Sequence, residues 1–321
     1  MGVVGVDLGK GYSLGGEGKQ LAHGRDATLP VVVAPVHPWL GDVLLDWYGA
    51  QARDLPWRRT RDPYRILVSE IMLQQTQASR AAVAFAEFTS RFPTVRTLAG
   101  ASVAEVLTAW RGLGYNRRAV GLHKAARSIV EEHAGVVPQN LTALRALPGV
   151  GDYTARAVLA FAYGQDVGPV DTNVARVLSR AVAGRALNRR EAQSLADALV
   201  PEGQGHAWSS ALMDLGARHC TARRPACDSC PVLRTCAWQR SGGEDPAGAT
   251  AVRARSPSPF AGSDRYHRGR LVDALRAGPV AAADLATAAR VTDRVKAAAL
   301  AQRLVADGLA EWDAGSLRLP T

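Results

Sequence analysis

The sequence predicts an all-α core followed by a small C-terminal module. From His37 to about Arg240, apolar residues recur at helical spacing, and no convincing alternating strand falls in that stretch. The turn signals Arg111-Gly112-Leu113-Gly114 and Pro148-Gly149-Val150-Gly151 lie between helical segments. A Gly-, Ser- and Pro-rich run at 241–259 reads as a linker to residues 260–321.

Taken in order, residues 1–36 are rich in Gly and small residues and are expected to form a variable or disordered extension. Trp39, Leu40, Val43, Leu44 and Trp47 follow the i, i+3, i+4, i+7 template of an amphipathic helix. Asp62-Pro63 reads as an N-cap with Pro at the first helical position, and Ile66, Leu67, Ile71 and Met72 continue an apolar face. Further helices are expected at 79–91, 101–110, 117–133, 139–146, 152–163, 173–183, 190–199 and 206–217. In the C-terminal module, helical patterns near 266–276, 281–288 and 293–307 precede a short hairpin at 309–319. That order is compatible with a winged-helix module, or with a helical appendage that makes no DNA contact.

With 321 residues and 47% hydrophobic composition, the chain has room for two or three domains and is not broadly disordered. No run approaches the roughly 20 apolar residues of a membrane span. The Met1 end lacks the basic-then-apolar order of a secretory signal, so a cytoplasmic protein without a membrane partner is expected. Lys+Arg 39 against Asp+Glu 29 gives a net charge of +10, which favours a polyanion, nucleic acid first. A general bias toward Arg accounts for part of that charge, since the only lysines are Lys10, Lys19, Lys124 and Lys296.

The four cysteines are clustered as Cys220-x6-Cys227-x2-Cys230-x5-Cys236. That clustering argues for a metal or cluster site in a reducing compartment rather than a disulfide scaffold. One CxxC flanked by single cysteines on short arms suits a wrap around an iron–sulfur cluster, with zinc the alternative. Arg218, Arg223 and Arg224 beside the first cysteine would give such a loop positive charge for phosphate contact. In Leu147-Pro148-Gly149-Val150-Gly151, two glycines permit a tight turn at a helix N-terminus, where backbone N–H groups can hold a phosphate oxygen. An acid follows about twenty positions on, Asp171, which also reads as an N-cap for the helix beginning near Asn173.

These residues together resemble the helix–hairpin–helix, hairpin-acid superfamily of DNA glycosylases. The cysteine spacing is similar to that of its iron–sulfur branch, and within it the chain resembles the adenine DNA glycosylases of the MutY type. The resemblance rests on Leu55-Pro56-Trp57-Arg58, Asp62-Pro63-Tyr64, Ser69-Glu70-Ile71-Met72-Leu73-Gln74-Gln75-Thr76-Gln77, Gly112-Leu113-Gly114-Tyr115, Leu122-His123-Lys124-Ala125-Ala126 and Met213-Asp214-Leu215-Gly216-Ala217. It covers about residues 38–240. Departures are Thr172 where the family commonly has Gly, Asn116 where a second Tyr is frequent, and a C-terminal module too short for the usual nucleotide-hydrolase-like domain.

The resemblance implies a two-lobed fold: an iron–sulfur cluster domain of residues 37–62 and 172–240, and a six-helix domain of residues 63–171 carrying the helix–hairpin–helix. It implies a 4Fe–4S cluster on Cys220, Cys227, Cys230 and Cys236, and a monovalent cation on the hairpin carbonyls. Glu70 would protonate adenine and later help activate water. Its place in a largely apolar helix independently suits a proton-bearing acid, although spacing alone is equally compatible with a solvent-facing glutamate. Asp171 would stay ionised and stabilise the cationic sugar. Tyr153 stands where bifunctional relatives carry a Schiff-base lysine, so a lyase step lacks its amine. Gln75, Thr76 and Tyr115 would enter the duplex near the opposing base, with Tyr115 a stacking wedge. Gly149, Val150 and Gly151 would hold the phosphate backbone, and Asn173 the backbone or the catalytic water. The implied partner is double-stranded DNA with A:8-oxoguanine or A:G mispairs, met by a monomer in the bacterial cytoplasm. An endonuclease III-like glycosylase, a thymine-mismatch glycosylase and a non-catalytic iron–sulfur DNA-binding regulator are the competing readings.

Overall fold

The computed structural model describes residues 38–250, 252 and 259–321; the expected extension at 1–36 lies outside the described residues. Helices α2 (Pro63–Leu73), α3 (Ala78–Arg91), α4 (Val95–Ala99), α5 (Val103–Ala109), α6 (Arg117–Glu132), α7 (Leu141–Ala146) and α8 (Asp152–Tyr163) surround one apolar core that includes Leu67, Phe88, Trp110 and Leu122. A second core, around Leu44, Leu178, Trp208 and Val232, is enclosed by α1 (Pro38–Gln51), α9 (Thr172–Val177), α10 (Arg189–Ala198) and α11 (Gly205–Arg218). The loop from Cys220 to Cys236 packs on this second core and leads into α12 (Ala237–Ser241). The all-α core therefore stands as the sequence predicts.

Helix α2 is the centre of the first lobe. Asp62 accepts from the Tyr64 and Arg65 backbone N–H groups, and Pro63 presets the first turn. Every residue from Ile66 to Met72 is buried, because α3, α6 and α8 pack around the helix. Asp214, fully buried on α11, accepts from the backbone and side chain of Arg53 and from both terminal nitrogens of Arg58, which ties the segment before α2 to the second lobe.

Several boundaries differ from the sequence reading. The first lobe has seven described helices rather than six, because a Thr94–Thr97 capping box starts a five-residue helix that periodicity is too short to reveal. The helix expected over 173–183 passes into a π-helical turn at Leu178–Ala183. Residues 241–250, expected as linker, are held in place: Asp245 takes Nε and Nη2 of the buried Arg180 at 2.8 and 2.5 Å, and buried Thr250 donates to the Pro246 carbonyl.

The C-terminal module runs α13 (Asp264–Leu275), β1 (Val280–Ala281), α14 (Leu285–Ala289), α15 (Arg294–Ala306), β2 (Glu311–Asp313) and β3 (Ser316–Arg318). Its strands form an antiparallel sheet in the order β1-β3-β2, with Val280 and Trp312 both opposite Leu317. This is a winged-helix order. The helix expected at 281–288 begins at Leu285, after β1 and a 3-10 turn at Ala282–Asp284, since so short a strand leaves no alternation. Leu271, Leu275, Leu304 and Leu317 share the core of the first lobe, and Arg276 Nε donates to the Leu107 carbonyl at 3.0 Å. The module is docked on the first lobe.

The approach of α9 to α11 depends on Gly216. A Cβ there would stand 2.7 Å from Asn173 Cβ and 3.0 Å from the Asn173 carbonyl oxygen. Gly216→Ala is expected to cost about 1–3 kcal/mol by overpacking, read as a lower urea midpoint with unchanged slope. An unchanged midpoint would mean the two helices have room to part.

Candidate active site

Glu70 is 3% exposed and projects from the buried face of α2. Tyr153, in the first turn of α8, stands beside its carboxyl and opposes the rise of its pKa, while Oε2 has no hydrogen-bond partner. Burial pushes the carboxyl up to about 7; the neighbouring Asp171 charge adds to the rise, and Tyr153 and Arg58 oppose it. Tyr153 is itself held well above the ordinary phenol range, first by burial and then by the two acids. Three groups from three elements thus meet: Glu70 from α2, Tyr153 from α8 and Asp171 at the start of α9.

Asp171 is the N-cap of α9. Its Oδ1 accepts from the backbone N–H groups of Asn173 and Val174 at 2.8 and 2.7 Å, and Oδ2 accepts from Asn173 Nδ2 at 2.8 Å. Burial raises its carboxyl above the ordinary aspartate range, although these three bonds and the Arg176 charge pull it back. Asn173, expected at the DNA backbone or the catalytic water, is hydrogen-bonded within the protein: Nδ2 donates to Asp171 and Oδ1 accepts from Arg176 Nη2, each at 2.8 Å. Arg176 goes on to donate to the carbonyls of Gly216 and Cys220. A continuous hydrogen-bonded path therefore runs from Asp171 to the backbone of the first cysteine.

Gln75 and Tyr115 share an unusual feature. Both are non-glycine residues in the left-handed region, with φ of 57° and 45°. Such backbone costs roughly 1–3 kcal/mol per residue and tends to persist where function requires it. Both side chains reach solvent, Gln75 in the turn after α2 and Tyr115 in the segment that leads into α6. One residue builds both turns, and sequence reasoning missed it. Arg118 Nη1 donates to the carbonyls of Ile71, Met72 and Gln74, and Nη2 to Leu113, Gly114 and the Thr76 hydroxyl. The Thr76 hydroxyl is thus engaged in shaping the turn. No sequence motif marks Arg118, because its partners are mostly backbone carbonyls.

The hairpin lies between α7 and α8. Gly149 takes φ 78°, which only glycine adopts cheaply, and a Cβ there would stand 3.5 Å from the Gly121 Cα of α6. Val150 is buried, and its N–H donates to the Leu147 carbonyl at 3.1 Å, so this amide is used inside the turn rather than left for phosphate. Gly151 is exposed and caps α8 with no side-chain hydrogen bond.

Cys220, Cys227, Cys230 and Cys236 line one open pocket with Arg180, Val232, Trp238 and Gln239. Among the described residues, no three side chains are gathered closely enough to hold a single metal ion. Four thiols around an open cavity fit a larger group, and two polar side chains already face the sulfurs: Arg180 Nη1 lies 3.5 Å from Cys220 Sγ, and Gln239 Nε2 lies 3.4 Å from Cys227 Sγ. The basic residues expected to serve the loop, Arg218, Arg223 and Arg224, are all exposed, and Arg218 also donates to the Gln51 carbonyl and lies over the Trp47 ring.

The buried Glu70 and the half-buried Asp171 beside one tyrosine, next to a helix–hairpin–helix, define a base-excision glycosylase class of site. Residues 68–202 match the family model of the HhH-GPD superfamily base excision DNA repair proteins. The adenine DNA glycosylase of Mycobacterium tuberculosis (strain ATCC 25618 / H37Rv) is 46% identical over 291 residues, spanning 87% of this chain and 92% of that protein. The adenine DNA glycosylase of Homo sapiens is 42% identical over 218 residues, spanning 64% of this chain and 40% of the human protein. A solved thermostable thymine-DNA glycosylase superposes with a TM-score of 0.58 at 31% identity, over 63% of this chain and 96% of that one. The chain belongs to the adenine DNA glycosylase family.

The raised Glu70 carboxyl has a stability consequence of definite sign. Its folded value of about 7 lies above its ordinary 4.5, so the native state binds the proton more tightly and stability falls as pH rises through that window. Glu70→Gln removes the penalty. Its stability relative to the parent is expected to climb by up to about 3 kcal/mol from below pH 4.5 to above pH 7, then level off. A pH-independent difference in urea midpoints would show that Glu70 titrates normally.

Proposed function

We propose that the chain is a monofunctional glycosylase that hydrolyses the N-glycosidic bond of adenine opposite guanine or 8-oxoguanine in double-stranded DNA of the bacterial cytoplasm. The observation that carries this reading is Glu70: a buried acid with one oxygen unbonded, beside a second acid. Adenine must leave the stack to reach it, at a cost of a few kcal/mol that is smaller at a mispair. Glu70, holding its proton near neutral pH, gives that proton to N7 of the flipped adenine as the bond from the base to C1′ breaks. Electrons of that bond leave with the base, and positive charge develops on the sugar. Asp171, with three hydrogen bonds and a facing arginine, is the better equipped of the pair to carry negative charge and stabilise that cation. Glu70, now a carboxylate, takes a proton from the water that adds to C1′.

Tyr153 orients the acid, and a phenol there cannot form an imine with the sugar. Gln75 and Tyr115, on their strained turns, are read as the residues that enter the duplex, and Gly149, Val150 and Gly151 as the hairpin that meets its backbone. In this reading the four cysteines hold a 4Fe–4S cluster, whose iron–thiolate bonds fix the fold of the loop that carries Arg223 and Arg224. The buried Arg180 would offset part of the cluster's negative charge. The hairpin cation implied by the family belongs to the same proposal.

The test is a panel of duplexes carrying A opposite 8-oxoguanine, A opposite G, T opposite G and thymine glycol. Free adenine is expected from the first two, with strand breakage only after alkali. Glu70→Gln is expected to slow single-turnover release by about 10²–10⁴-fold while binding changes only a few-fold. Thymine release, nicking without alkali, or a near-parental rate in the variant would overturn the reading.

A further inference from the structure

The surface beside Tyr115 is completed by the C-terminal module. Arg265, in the first turn of α13, donates through Nη1 to the Tyr115 hydroxyl at 2.6 Å. Its guanidinium also lies over two rings, 5.3 Å from the Tyr115 centroid and 5.1 Å from that of Phe260. Arg118 covers the Tyr115 ring at 5.6 Å, and Phe260 meets Tyr266 edge to face at 5.6 Å. The result is a row of alternating guanidinium and aromatic groups that begins on the first lobe and ends on the module. Phe260 is 55% exposed and Tyr115 38%.

An exposed phenylalanine in a docked module calls for a reason. Phe260 takes no part in the apolar core, yet its backbone is fixed: its carbonyl accepts from the N–H and the hydroxyl of Ser263, the N-cap of α13. The module's own docking uses other groups. Leu271, Leu275 and Leu304 supply the buried contact, and Arg276 Nη2 holds the Asn116 side chain at 3.2 Å. The Arg265 contacts are therefore peripheral to the attachment and lie where strained Tyr115 reaches solvent. Planar, weakly hydrated guanidinium groups and aromatic faces are the groups on which nucleobases stack, and arginine also meets phosphate.

We propose that Arg265 and Phe260 extend the DNA-contacting surface onto the C-terminal module, where they stack against the strand opposite the excised base and set the orientation of Tyr115. Arg265 is a positioning residue for Tyr115 and a contact for the opposing strand; Phe260 is a stacking surface for a base flanking the mispair. The proposal rests on reading Tyr115 as the stacking wedge, and its test separates the two.

The full chain is compared with Arg265→Ala, Arg265→Lys, Phe260→Ala and Tyr115→Ala, each in a Glu70→Gln background so that substrate stays intact. Measured are the melting temperature, the affinity for an A:8-oxoguanine duplex, and the fluorescence of 2-aminopurine placed beside the mispair in the opposing strand. Arg265→Ala and Phe260→Ala are expected to weaken binding about 5- to 30-fold, in keeping with the loss of one base stack, and to shift the fluorescence. Arg265→Lys should recover only part of the affinity, because an ammonium cannot stack between two rings. Combined with Tyr115→Ala, the Arg265→Ala loss should be much less than additive. If Tyr115→Ala alone weakens binding and alters fluorescence while the module variants bind as the parent does, the module proposal fails and the wedge reading stands. A lowered melting temperature with parental affinity in the module variants assigns the row to docking and likewise refutes the proposal. If Tyr115→Ala has no effect, both readings fall.

Discussion

The burial of Glu70 sets the terms for the rest of the molecule. A carboxyl on the inner face of a helix whose residues from Ile66 to Met72 are all buried cannot easily ionise. The fold accommodates it by placing Tyr153 against it and Arg58 near it, enough to moderate the rise but not to cancel it. The same burial acts on Asp171, which answers with three hydrogen bonds where Glu70 has an oxygen unbonded. The two acids are thereby made different by their surroundings. That difference is what acid-assisted departure of a base requires.

Three arginines hold the surroundings in place, each as a connector between elements. Arg118 joins the end of α2 to the turn before α6, and so builds the two strained turns from one side chain. Arg176 links Asn173, Gly216 and Cys220, coupling the acid at the head of α9 to the cysteine loop. Arg180, 1% exposed, binds Asp245, the Thr221 carbonyl and a cysteine sulfur. A guanidinium with five donors in a plane can satisfy several carbonyls at once, which an ammonium cannot do with the same geometry. In a chain with four lysines, the large Arg content is thus partly structural rather than a measure of charge offered to DNA.

The helical core, the cysteine loop and Asp171 as a helix N-cap leave local signatures in the sequence, whereas spacing left Glu70 open and the family resemblance singled it out. Periodicity marks α2, cysteine spacing marks the cavity, and the hairpin followed by an acid marks the head of α9. What the sequence hid depends on contacts far apart in the chain. Arg118 acts on backbone carbonyls more than forty positions away, which no spacing records. The bonds of Asn173 to Asp171 and Arg176 require helical geometry to form, so no sequence pattern marks them. Residues 241–250 looked like linker because Gly, Ser and Pro make up half of them; an ion pair to a buried arginine helps hold the segment in place.

The central claim, that α2 keeps Glu70 protonated near neutral pH in a site it shares with Asp171, is tested most directly by its titration. The Glu70 side-chain carboxyl carbon can be followed by carbon-13 NMR across pH 4 to 9, with Glu70→Gln identifying the signal. The account predicts a midpoint near 7, moving toward the ordinary glutamate range when Asp171→Asn removes the neighbouring charge. A midpoint close to 4.5 in the folded parent would contradict it, since the acid would then reach the substrate without its proton.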